Sequence, residues 1–91
     1  MKAENWIDQV KAAKGLSSDY AAAKALGISR ATISKYRSTT PTLDEENAIK
    51  IAHALGMNPA GIIVDQVAER SKSAEVRAAL SKEVARLCIL C

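Results

Sequence analysis

Ninety-one residues, 48% of them hydrophobic, suffice for one small domain and are too few for two independent cores. With no Phe, one Trp and two Tyr, that core must be built from Ala, Ile, Leu and Val on closely packed helices, and the scarcity of strand-favouring runs predicts an all-α fold. The net charge of +3 is modest but uneven: residues 1–40 carry seven basic and three acidic side chains, and residues 41–70 carry two and five, so the N-terminal part is the one to attract a polyanion. No apolar run is long enough to span a bilayer and MKAENWIDQV is amphipathic, which predicts a soluble, cytoplasmic protein without a membrane partner.

Residues 3–14 read as a first helix, with Trp6, Ile7 and Val10 at helical spacing, Lys11 and Lys14 outside, and Gly15 as terminator. Trp6 is expected to anchor the core. Leu16 precedes Ser17 and Ser18, either of which can cap the next helix. From Asp19 to Ser38 follow two short helix-compatible runs separated by Gly27, with Ala22, Ala23 and Leu26 on one face of the first and Ile33 and Tyr36 on one face of the second. Close contact is expected at the glycine: the alanines let the backbones approach, and Gly27 tolerates a positive φ. Ile28 then turns inward, and Ser29 can cap the second helix by accepting from the N–H of Ala31 or Thr32. Ser29, Arg30, Ala31, Ser34 and Lys35 are left facing outward.

Ser38 to Thr42 form a polar loop that Pro41 keeps from being helical. A helix is expected to restart near Thr42, where Thr-Leu-Asp-Glu matches a capping box and Asp44, Glu45 and Glu46 complement the helix dipole. Consecutive helical carboxylates fan out around the axis, so these three do not form a metal site. Ala48, Ile49, Ile51, Ala52 and Leu55 make an inner face ended by Gly56, and Pro59 opens a further helix whose Ile62, Ile63, Val64 and Val67 close the core. A break at residues 71–73 separates a domain of residues 1–70 from a C-terminal extension of residues 71–91. In the extension Val76, Ala79, Leu80, Val84, Leu87 and Cys88 form an apolar stripe that either folds back on the core or pairs with a second copy.

Catalytic and metal chemistry find little support. His53 stands alone and reads as a surface or boundary residue of the fourth helix, and Cys88 and Cys91 with one distant histidine fall short of a structural zinc set. In a reducing compartment these thiols are packing residues, a frayed end, or a redox-sensitive pair. No nucleophile with its base and no phosphate-cradling loop is present, so neither an enzyme nor a cofactor or small-molecule site is expected.

The window Asp19–Ser38 resembles a known motif. Ala23 at its fifth place, Gly27 at its ninth, and Leu26, Ile28, Ile33 and Tyr36 at its eighth, tenth, fifteenth and eighteenth are similar to the helix-turn-helix of phage repressor/Cro-type (XRE-like) DNA-binding proteins. The likeness extends through Pro41, Leu43 and NAIKIAHALGMNP and covers roughly residues 5–66. It implies a lambda-repressor-like bundle of about five helices plus a C-terminal helix, with the second motif helix in the DNA major groove. It further implies base contacts from Arg30, Ala31, Ser34 and Lys35, and DNA backbone contacts from Ser18, Ser29, Thr32, Arg37, Ser38, Thr39 and Thr40. Relatives often carry a glutamine against phosphate where this chain has Asp19, whose charge would repel it. The implied protein is a sequence-specific regulator that binds operator DNA, in a phage or bacterial setting and at the nucleoid when bound. A module this small reads few base pairs, so a homodimer is expected, with the stripe of Val76, Leu80, Val84 and Leu87, outside the resemblance, as the first choice of interface. The competing expectation is a helical adaptor or antitoxin using its apolar C-terminal segment.

Overall fold

The computed structural model describes residues 1–89, side chains at 85 and 87–89 excepted. Expectations for Leu87, Cys88 and Cys91 fall outside the described residues. Six helices make up the described chain: α1 (Ala3–Lys14), α2 (Asp19–Leu26), α3 (Arg30–Ser38), α4 (Glu45–Leu55), α5 (Pro59–Arg70) and α6 (Ala74–Ile89). None of them is long and apolar enough to cross a membrane.

Local signals set most boundaries. α1, α2 and α4 each end on a left-handed glycine, and Ser18, Ser29 and Asn58 cap α2, α3 and α5 through their side chains. α1 packs against α2, α3 and α4, α4 packs against α5, and the enclosed core joins Trp6, Ile7, Val10, Ala22, Ala23, Leu26, Ile33, Tyr36, Leu43, Ile51 and Ile62. Apart from Trp6 and Tyr36, small and medium side chains fill it.

Three expectations are corrected. The fourth helix starts at Glu45, not near Thr42: Leu43 is buried in the core, its N–H donates to Gln66 Oε1 at 2.7 Å, and Asp44 is the cap, accepting from Asn47 N–H at 3.1 Å. Asp44 itself has extended backbone (φ −77°, ψ 168°), so the helix cannot begin before Glu45. Ile49 is 37% exposed, and Asn47 is buried on that helix instead. Val67 is 44% exposed, while Gln66 beside it is fully buried.

That buried glutamine is satisfied at both ends. Its Oε1 takes the Leu43 N–H, and its Nε2 donates to Met1 O and to Asp65 Oδ2, each at 2.8 Å. Asp65 Oδ2 also accepts from Trp6 Nε1 at 2.8 Å, so α1, the α3–α4 loop and α5 share one polar network. α6 behaves differently. It lies along α5, with Leu80 and Val84 half-buried and Val76 exposed, and none of its described residues belongs to the buried core.

Candidate nucleic-acid interface

Gly27 sets the angle between α2 and α3. Its φ of 70° is one that a side chain resists, and Ile28 N–H returns to Ala23 O at 3.0 Å to close the turn. A Cβ at Gly27 would meet nothing within 4 Å. The glycine is therefore required for its backbone angle, while Ala22 and Ala23, the small residues expected to let the helices approach, are both buried.

The start of α3 is tied down twice. Ser29 Oγ accepts from Thr32 N–H at 3.1 Å and pairs with Thr32 Oγ1 at 2.7 Å. The two hydroxyls own two protons and use one between them, so one remains to donate elsewhere. Ser18 caps α2 in the same way, through Ala21 N–H at 3.1 Å. On the inner face of α3, Ile33 and Tyr36 are buried, and the Tyr36 hydroxyl accepts from Asn47 Nδ2 at 2.7 Å. Burial holds the phenol above its ordinary pKa, so it stays neutral.

The outer face of α3 is exposed at Arg30, Ala31, Ser34 and Lys35. Residues 30 and 34 lie one turn apart, as do 31 and 35, so the four form one patch along the helix. Ser38 is the last residue of α3 and donates to Ser34 O at 3.0 Å, while Thr39 and Thr40 follow it, exposed, with both N–H groups on Lys35 O at 2.8 Å.

Arg37 stands apart from this patch. Its guanidinium meets Asp8 on α1 (Nη2–Oδ1 2.7 Å, Nη1–Oδ2 3.3 Å) and Asp19 on α2 (Nη2–Oδ1 2.8 Å, Nε–Oδ2 3.2 Å). Four of its five N–H donors are thus committed to carboxylates within the molecule, an arrangement that sequence spacing does not reveal because Asp8 lies 29 residues away. Lys11 Nζ also reaches Asp19 Oδ1 at 3.2 Å. The hydrogen bonds from Arg37 hold both carboxyls below their ordinary pKa, and Arg37 itself is held firmly protonated. Asp19, which alone would repel a phosphate, is accordingly neutralised by two cations.

Tyr20 was not among the residues expected at this site. The residue is 58% exposed, and the Arg30 guanidinium lies over its ring, with Cζ 5.3 Å from the centroid. Beside α3 a cleft of about 460 Å³ is lined by Thr32, Lys35, Thr40, Asp44, Glu45 and Arg70, whose opposite charges balance. Among the described residues no group of His, Cys, Asp and Glu is arranged to hold a metal ion.

No curated protein and no solved structure matches the chain. A family model described as helix-turn-helix matches residues 8–62, which takes in α2, the Gly27 turn, α3, α4 and parts of α1 and α5. The sequence resemblance, the bundle and this match agree, and the chain is a member of the XRE-like helix-turn-helix family of DNA-binding transcriptional regulators.

Proposed function

We propose that the protein is a sequence-specific regulator of the phage or prophage Cro/repressor type, which occupies operator DNA as a homodimer. The observation that carries this reading is the outer face of α3, where Arg30, Ala31, Ser34 and Lys35 are exposed together while Ile33 and Tyr36 lock the opposite face into the core. A helix held in this way can enter a major groove without reordering. Arg30 at its first turn has the donor geometry for O6 and N7 of a guanine, Ala31 can touch a thymine methyl, and Ser34 and Lys35 reach bases or phosphates one turn on. Ser18, Ser29, Thr32, Thr39 and Thr40 surround α3 with hydroxyls suited to phosphate, whereas Ser38 directs its proton to Ser34 O. Arg37 acts in this scheme by holding α3 against α1 and α2, and its backbone-contact role is given up because Asp8 and Asp19 occupy its donors.

A module of this size reads few base pairs, so specific affinity calls for two copies on half-sites about one helical turn apart. Val76, Leu80 and Val84 of α6, with Val67 of α5, are the surface offered for pairing. The adaptor or antitoxin reading uses this same apolar surface for a different protein.

Selection of bound fragments from a random DNA pool, followed by binding at rising salt, separates the two readings. The regulator retains a preferred, two-fold symmetric sequence and loses affinity steeply with salt. Arg30→Ala is expected to cost about 1–3 kcal/mol at the selected site and to relax one base-pair position. Binding without preference or salt dependence favours the adaptor.

A further inference from the structure

The chain has three aromatic residues, and two of them, Trp6 and Tyr36, are 5% and 6% exposed, in the core. Tyr20 is the exception. It sits in the first turn of α2, whose inward face is already filled by Ala22, Ala23 and Leu26, and its ring serves no core position. What it does touch is Arg30: the guanidinium carbon stands 5.3 Å from the ring centroid, within the roughly 6 Å range of a cation–π contact.

The two arginines of the motif contrast in their partners. Arg37 spends its N–H donors on Asp8 and Asp19. Arg30 has no hydrogen bond or ion pair among the described residues, and its electrostatic partner there is the ring of Tyr20. A guanidinium held over a ring makes no hydrogen bond to it and keeps N–H groups available for the two acceptors of a guanine. An arginine on a free stem samples many rotamers and orders itself only when DNA arrives; one resting on a ring has that ordering done beforehand.

We propose that Tyr20 is a specificity-determining positioning residue, an aromatic shelf that presents the N–H edge of Arg30 to a base pair in the major groove. This rests on Arg30 being the base reader. Tyr20 belongs to the helix that crosses the DNA backbone and Arg30 to the helix that enters the groove, so the contact couples the docking of one helix to the reading by the other.

The test uses the full chain and the DNA site selected by the wild type, together with a copy of that site altered at the base pair whose preference Arg30→Ala relaxes. Tyr20→Leu is expected to reduce discrimination between the two DNAs by about two- to fivefold, with thermal stability unchanged. Tyr20→Phe, which keeps the ring and drops the hydroxyl, retains wild-type discrimination. Tyr20→Leu combined with Arg30→Ala discriminates no worse than Arg30→Ala alone. In the free protein, NMR should show ring-current shifts on the Arg30 side-chain protons that vanish in Tyr20→Leu. Equal weakening on both DNAs by Tyr20→Leu, loss of discrimination in Tyr20→Phe, or unshifted Arg30 protons in the wild type would each overturn the shelf. If Arg30→Ala relaxes no base pair, it is the reader assignment that fails, and the ring-current measurement still decides whether the stack exists.

Discussion

The two ends of the molecule solve the packing of a helix in opposite ways. α3 is short, yet it is fixed by a capped start, two buried side chains, the Tyr36–Asn47 hydrogen bond and the two carboxylates on Arg37. α6 is longer, at 16 residues, yet packs chiefly along α5 with no described residue in the core. Helix length is thus a poor guide to how firmly a segment is held; the number of independent partners decides it. The rigid end is the one proposed to meet DNA, where ordering on binding would cost affinity.

Mutations can break this contrast, and the largest effect should come from the core under α3. Ile33 is 1% exposed, so Ile33→Ala is expected to lower unfolding free energy by about 3 kcal/mol in urea titration. Gln66→Ala follows at about 2 kcal/mol, because it leaves the buried Leu43 N–H without an acceptor. A loss as small as that of an exposed residue would mean that the α3–α4 loop finds another partner.

The carboxylate pair gives a smaller effect with a pH signature. Asp8 and Asp19 are depressed below their ordinary 3.8, chiefly by hydrogen bonds from Arg37. Their contribution is therefore full above that value and is lost as pH falls through the lower folded values. The side chains of Asp8 and Asp19 are 54% and 42% exposed, so solvent screening limits the effect of Arg37→Ala to about 1 kcal/mol at neutral pH. The difference between wild type and Arg37→Ala should shrink on acidification below about pH 4; a gap that stays constant to pH 2 would remove the ion pairs from the account.

At the other end, Val76→Ser should change stability by less than about 0.5 kcal/mol, since Val76 is 44% exposed and outside the core. Its expected effect is on mass: sedimentation should show weaker self-association than the wild type. Unchanged association in both Val76→Ser and Leu80→Glu would take α6 out of the proposed dimer.

Helix limits were largely legible in the sequence, because glycine terminators and Ser, Asn and Pro starts act over three or four residues. α1 matches its expected span, and Gly27, Ser29 and Pro59 occupy the backbone positions expected of them. The fourth helix was misplaced because two capping patterns overlap at Thr42–Glu45, and only the burial of Leu43 chooses between them. The exposed patch of α3 was legible too, from its spacing against Ile33 and Tyr36. Asp8, Tyr20 and Asn47 gave no such signal: a charged or polar residue on a helix looks solvated until its partner on another helix is known.

The sequence by itself determined the all-α class, the small-residue core, the helix-turn-helix and the outward face of its second helix, since these follow from local backbone preference and from periodicity. Tertiary structure alone decided that Arg37 turns inward to Asp8 and Asp19, that Gln66 is buried and fully bonded, and that Tyr20 lies beneath Arg30. These contacts join separate helices, and their existence depends on crossing geometry that no single stretch of chain contains.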